Sequence, residues 1–156
     1  TAADADDRWF YAPNVICTTT NEELFADDTN ATDLAGASGD QVNGPNEAIG
    51  AASTFTDGVV ADTDADKVWF LFVKNTGTSD VAGTVSTNSV YLSFDGTEAG
   101  YNVADNIEIK AGEAWMSNLA GPMMDDIHVM TGQARGAGTG ADVRCTVAAI
   151  IENTTA

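Results

Sequence analysis

A chain of 156 residues with 44% hydrophobic content is long enough to bury the core of one domain, which argues against global disorder. No apolar run approaches the ~18–20 residues that span a membrane as a helix. The 24 acids stand against six bases (Lys67, Lys74, Lys110, Arg8, Arg135, Arg144), giving a formal net charge of −18, and so acidic a surface argues against nucleic acid as a partner.

The opening residues, Thr1 to Asp7, are acidic and carry neither a basic nor an apolar signal-peptide region, so folding in the cytoplasm is expected. Thr1 fits removal of an initiator Met, and equally a processed secreted chain. The stretch from Arg8 to Thr20 is aromatic and β-branched. Pro13 interrupts it, which predicts an edge strand or a bulge. Trp9, Phe10 and Tyr11 follow the acidic tail and are candidate partner-binding anchors, because aromatics dominate interfaces out of proportion to their number. The alternative is that they complete the core.

Residues 27–66 have a different texture, with small and acidic residues, recurrent glycines and isolated apolar positions. A long irregular segment is expected there, with a short strand near residues 51–55. Asp62, Asp64 and Asp66 have the carboxylate spacing of a calcium loop. Lys67 stands where that loop needs Gly and Val73 where it needs Glu, so an EF-hand is excluded. These three carboxylates could hold a loose structural calcium or sodium ion, and a solvated acidic turn is the plainer reading.

Strand signals are dense from residue 67 to residue 152. Val68 to Val73 is a continuous apolar run ended by Asn75-Thr76-Gly77, as expected of a central strand buried on both faces. Val90, Leu92 and Phe94 alternate before an Asp95-Gly96 turn. Ile107 to Ile109, Trp115-Met116 and Ile127 to Met130 supply further strands, and Val143 to Ile151 closes the series with every second residue apolar. The expected core contains Val68, Phe70, Phe72, Val90, Leu92, Phe94, Ile127, Val129, Val147 and Ala149. No window carries a helical stripe. The prediction is an all-β single domain over residues 1–156, an antiparallel β-sandwich of jelly-roll type with residues 1–7 as a tail.

Chemistry is sparse. His128 is the sole histidine, mid-strand, and no Gly-x-Ser-x-Gly elbow presents a serine, so a structural histidine is expected. On a strand Asp126 would share its face and Asp125 would not. Acid pairs are too numerous to single one out for glycoside chemistry. The glycine-rich stretch from Gly132 to Gly140 lacks the Lys-Ser/Thr ending of a phosphate loop and reads as a hairpin loop. Cys17 and Cys145 can pair if the terminal strands are neighbours, but buried free thiols are expected of a cytoplasmic chain. The sequons at Asn30 and Asn153 matter only for an exported protein. No catalytic residue and no cofactor is expected.

From Trp69 to Ile151 the chain resembles the capsid-decorating (cement) proteins and related virion β-sandwich proteins of tailed viruses. The residues that carry the resemblance are Phe72 to Gly77, Ser89 to Gly96, Ile109 to Trp115 and Val143 to Ile151. The resemblance implies a non-enzymatic virion surface protein that stabilises a capsid. It further implies contacts with the major capsid protein or other virion subunits, trimeric association, and assembly in the host cytoplasm. The acid-rich, lysine-poor composition is similar to that of halophilic proteins, with an acidic mesophilic surface patch as the alternative, and together with the resemblance it implies a virus of salt-loving archaea. An extracellular adhesin, pilus-like or carbohydrate-binding module is the alternative, with Trp9, Tyr11, Trp69 and Trp115 as stacking faces. A small β enzyme comes third.

With a net charge of −18, the melting temperature is expected to climb between low and molar salt, as screening weakens repulsion among the acids. A melting temperature indifferent to salt removes the halophilic expectation.

Overall fold

The computed structural model describes residues 8–11, 14–25, 67–79, 83–96, 99–100, 102–103, 106–133 and 140–152, with residues 8–11, 14, 15, 22 and 124 described by their backbone. The described residues form β-strands in two antiparallel sheets, without an α-helix. The first sheet holds β1 (Arg8–Tyr11), β2 (Asn14–Cys17), β4 (Lys67–Asn75), β7 (Ala114–Asn118) and β9 (Val143–Glu152). The second holds β3 (Glu22–Glu23), β5 (Ser89–Ser93), β6 (Ile107–Ile109) and β8 (His128–Gly132). Strand order is β1-β9-β4-β7 in the first sheet, with β2 also on β9, and β3-β8-β5-β6 in the second.

The organising strand is β9. Its odd-numbered residues from Val143 to Ile151 are buried and the even ones half-buried, the period of two that a strand with one core face requires. β1 and β2 pair in tandem along one side of it and β4 along the other. The expected interruption at Pro13 falls between β1 and β2. One core cluster draws on both sheets: Val68, Leu71, Val73, Val147 and Ile151 from the first, Val90, Leu92, Ile109 and Val129 from the second. Leu24, Phe25 and Ile127 close it from the connections. Each fully buried aliphatic side chain stabilises by about 1.5–3 kcal/mol relative to exposure.

The expectation for β4 needs correcting. It is not buried on both faces: Val68, Leu71 and Val73 enter the core, while Phe70 and Phe72 point the other way and stay half-buried. The register shifts between Val68 and Phe70, so the alternation restarts within an unbroken apolar run. Phe94 is likewise only half-buried, packed on the core margin against Trp115 with ring centroids 5.4 Å apart.

Asn75, at the end of β4, is fully buried and ties the sheets together. Its Nδ2 donates to the carbonyl oxygens of Asn88 at 2.9 Å and Ile109 at 3.2 Å, both beside the second sheet. Its Oδ1 accepts from the Gly77 N–H at 2.9 Å, and Gly77 has a φ of 74°, a conformation that a side chain would strain. The Asn75 backbone accepts from Gly112 N–H and donates to the Glu113 carbonyl, which sets the turn into β7.

Cys17 and Cys145 are buried thiols on neighbouring strands, not joined in a disulfide. Cys17 faces Val143 and Cys145 faces Val15, so the two are diagonal, two positions out of step. Diagonal partners lie ~7–8 Å apart, beyond the reach of an unstrained disulfide.

Asn75→Leu removes the side-chain partner of two carbonyls and one N–H at a buried position. The expected loss is about 3 kcal/mol or more, read by denaturant unfolding at constant salt. Asn75→Asp is expected to be at least as harmful despite its matching shape, because a carboxylate cannot donate to the two carbonyls. An Asp variant as stable as the parent overturns the pinning role.

Candidate functional site

The first sheet turns one face to the core, and no second layer of described elements covers the other. Lys74 alternates with Phe72 and Phe70, and it lies in register with Ala114 and Thr146. Phe72 lies between Met116 and Ala148, and Phe70 between Asn118 and Ile150. The result is a band of apolar side chains across three strands. Phe70, Phe72, Ala148 and Ile150 are half-buried, while Met116 is 65% exposed. An exposed methionine beside partly open phenylalanines is the kind of surface that proteins reserve for contacts.

The charge around this band differs from the rest of the chain. The three lysines all border β7: Lys74 opposite Ala114, Lys110 before the turn into the strand, and Lys67 bridged to Met123 after it. Residues 67–79 and 107–123 carry these three lysines against Glu108 and Glu113, one net positive charge in a chain of −18.

Trp9, Phe10 and Tyr11 belong by backbone to β1, in register with Ile151, Ile150 and Ala149 of β9. They therefore continue the sheet that bears the apolar band. Asp62, Asp64 and Asp66, together with the whole 27–66 segment and both sequons, lie outside the described residues.

His128 sits on β8 opposite Glu23 and Ser93. Asn21 Oδ1 accepts from the Ala99 N–H at 2.7 Å, which fixes the amide so that its Nδ2 faces His128 Nδ1 at 3.1 Å. Nδ1 is thereby the acceptor, and the imidazole holds the Ala99 loop through Asn21. Asp125 and Asp126 are not on the strand with His128, because Met124–Asp126 is a single 3-10 turn. The Asp126 carboxylate accepts from the Met123 N–H at 3.2 Å, closing that turn. Among the described residues, no three His, Cys, Asp or Glu side chains gather in a metal-binding group. The tryptophans offered for ring stacking are half-buried: Trp115 meets Phe94, and a Cβ added at Gly121 would lie 3.2 Å from the Trp69 ring.

Compared with protein-family models and with curated proteins, the chain matches none.

The sequence reading passed over Met116 and the outward direction of Phe70 and Phe72. Lys74 was the available signal. Its charge marks the solvated face, and residues two and four positions earlier share that face. The two faces are separable by stability. Leu71→Ala is expected to cost about 2–5 kcal/mol and Phe72→Ala no more than about half as much, measured by denaturant unfolding. Equal losses place Phe72 in the core.

Proposed function

We propose that the chain is a non-enzymatic virion structural protein, an antiparallel β-sandwich of jelly-roll type that decorates and stabilises a capsid by protein–protein contacts. The observation that carries this reading is the apolar band of Met116, Phe72, Phe70 and Ile150, open on one sheet and bordered by lysines. An acidic protein can approach another acidic surface most closely where its own acids are balanced, and on this face Lys67, Lys74 and Arg144 accompany Glu152. A lasting contact buries about 800 Å² on each partner, which a sheet face with adjoining strands can supply. Trp9, Phe10 and Tyr11 extend the same sheet and act as additional anchors. The partner is the major capsid protein or another virion subunit, and the resemblance of residues 69–151 to cement proteins supports trimeric association on the shell. The host is a salt-loving archaeon, in keeping with the composition.

The packing of Trp69 and Trp115 supports this reading over the carbohydrate-binding alternative, since rings packed against protein have less face to offer a sugar. The bond from Asn21 likewise supports a structural His128.

The test is the mass of the native assembly. In material from its natural source, the protein is expected to sediment with virion-sized particles and to leave them when they are stripped. Recovery solely as a small free species overturns the proposal.

A further inference from the structure

Among the described residues the two sheets have four edges, which differ in how they are protected. β3 is two residues long and both are glutamates; β6 is three residues with Glu108 at its centre. The β1–β2 edge contains Arg8 and is divided at Pro13. β7 alone is a five-residue edge, Ala-Trp-Met-Ser-Asn, with no charge and no proline. Proteins blunt strand edges with charge, proline or brevity because an open edge templates pairing with another chain.

The direction of its main-chain groups follows from the ladder. Leu119 N–H donates to the Trp69 carbonyl and Asn75 N–H to the Glu113 carbonyl, so the hydrogen-bonded pairs with β4 are the odd-numbered residues of β7. The N–H and C=O groups of Ala114, Met116 and Asn118 therefore point away from β4. One of these carbonyls, that of Asn118, already accepts from the Ser117 hydroxyl at 2.8 Å and keeps a second lone pair.

We propose that β7 pairs antiparallel with β7 of a second copy, about a two-fold axis at Met116, making one continuous sheet through both molecules. In this register Met116 meets Met116 of the other copy, and Ala114 meets Asn118. All three outward residues are used, with about six main-chain hydrogen bonds across the junction. No ionised side chain opposes another across it. The two Lys74 side chains stand about 20 Å apart, from strand spacings of ~4.8 Å across and ~3.4 Å along, farther than the screening length. The exposed Met116 side chains come together beside Phe72, which shields the apolar band at its rim.

A second copy fits this edge better than a strongly charged strand. The pairing is self-complementary in hydrogen bonding, and β7 itself carries no acid, so two chains of −18 can meet along it without opposed carboxylates. A five-residue strand runs only ~17 Å, so the contact is weak in dilute solution and strengthens with salt. It is closed by two copies. It is therefore distinct from a three-fold capsid junction, and it stands whether or not the chain decorates a shell.

The experiment is sedimentation equilibrium of the whole chain from about 0.1 M to about 2 M NaCl, a range over which the screening length falls well below ~10 Å. Compared with the parent are Met116→Lys, Met116→Pro and the control Val85→Lys, which adds the same charge at another highly exposed site. The parent and Val85→Lys are expected to form dimers increasingly with concentration and salt. Met116→Lys, which changes an exposed side chain, is expected to weaken dimerisation at least about tenfold with an unchanged melting temperature. Met116→Pro removes an outward N–H and is expected to do the same. A parent that stays monomeric at every salt concentration overturns the proposal, as does a Met116→Lys variant that dimerises like the parent.

Discussion

The buried amide of Asn75 is the contact on which much of this structure turns. The hydrophobic effect presses the two sheets together but is non-directional, and by itself leaves their relative position loosely specified. Asn75 adds direction. Its side chain bonds main-chain groups on both sides of the core, and its backbone sets the turn that delivers β7 to the edge of the first sheet. The segment that follows is laid onto β9 by the Thr76 N–H and hydroxyl, both donating to the Arg144 carbonyl. A fully satisfied buried polar group stabilises modestly, while a half-satisfied one is costly, so this arrangement favours one packing over its near neighbours.

A second constraint is charge. A net −18 opposes compaction at every distance within the screening length, and the core must outweigh it. The molecule meets this with a tightly closed interior: Val68, Leu71, Leu92, Val129, Val147 and Ile151 are wholly removed from solvent. On the surface, the three lysines collect around β7, with Glu108, Glu113 and Glu152 beside them. Dispersed, they would form exposed ion pairs worth little each. Gathered, they offset the acids that lie near one edge strand.

The all-β class and the register of β9 were legible in the sequence, because a strand buried on one face writes its alternation directly into its residues. β4 was harder. Trp69, Phe70 and Phe72 fill positions where a polar residue would have marked the solvent side, and a shift in register at Phe70 restarts the period, so only Lys74 betrays the exposed face. Asn75 read as a turn residue, since its partners are carbonyls 13 and 34 residues further along and main-chain acceptors have no sequence signature. The same holds for His128: its role rests on an amide 107 residues away. The edge position of β7 is a property of topology, which strand propensities do not encode.

The two cysteines carry a consequence of another kind. Their stagger across β2 and β9 withholds each sulfur from the other although both lie in one interior. Oxidant and reductant alike find no exposed thiol and no bridge on which to act. These two side chains therefore keep one covalent state under reducing and oxidising conditions alike.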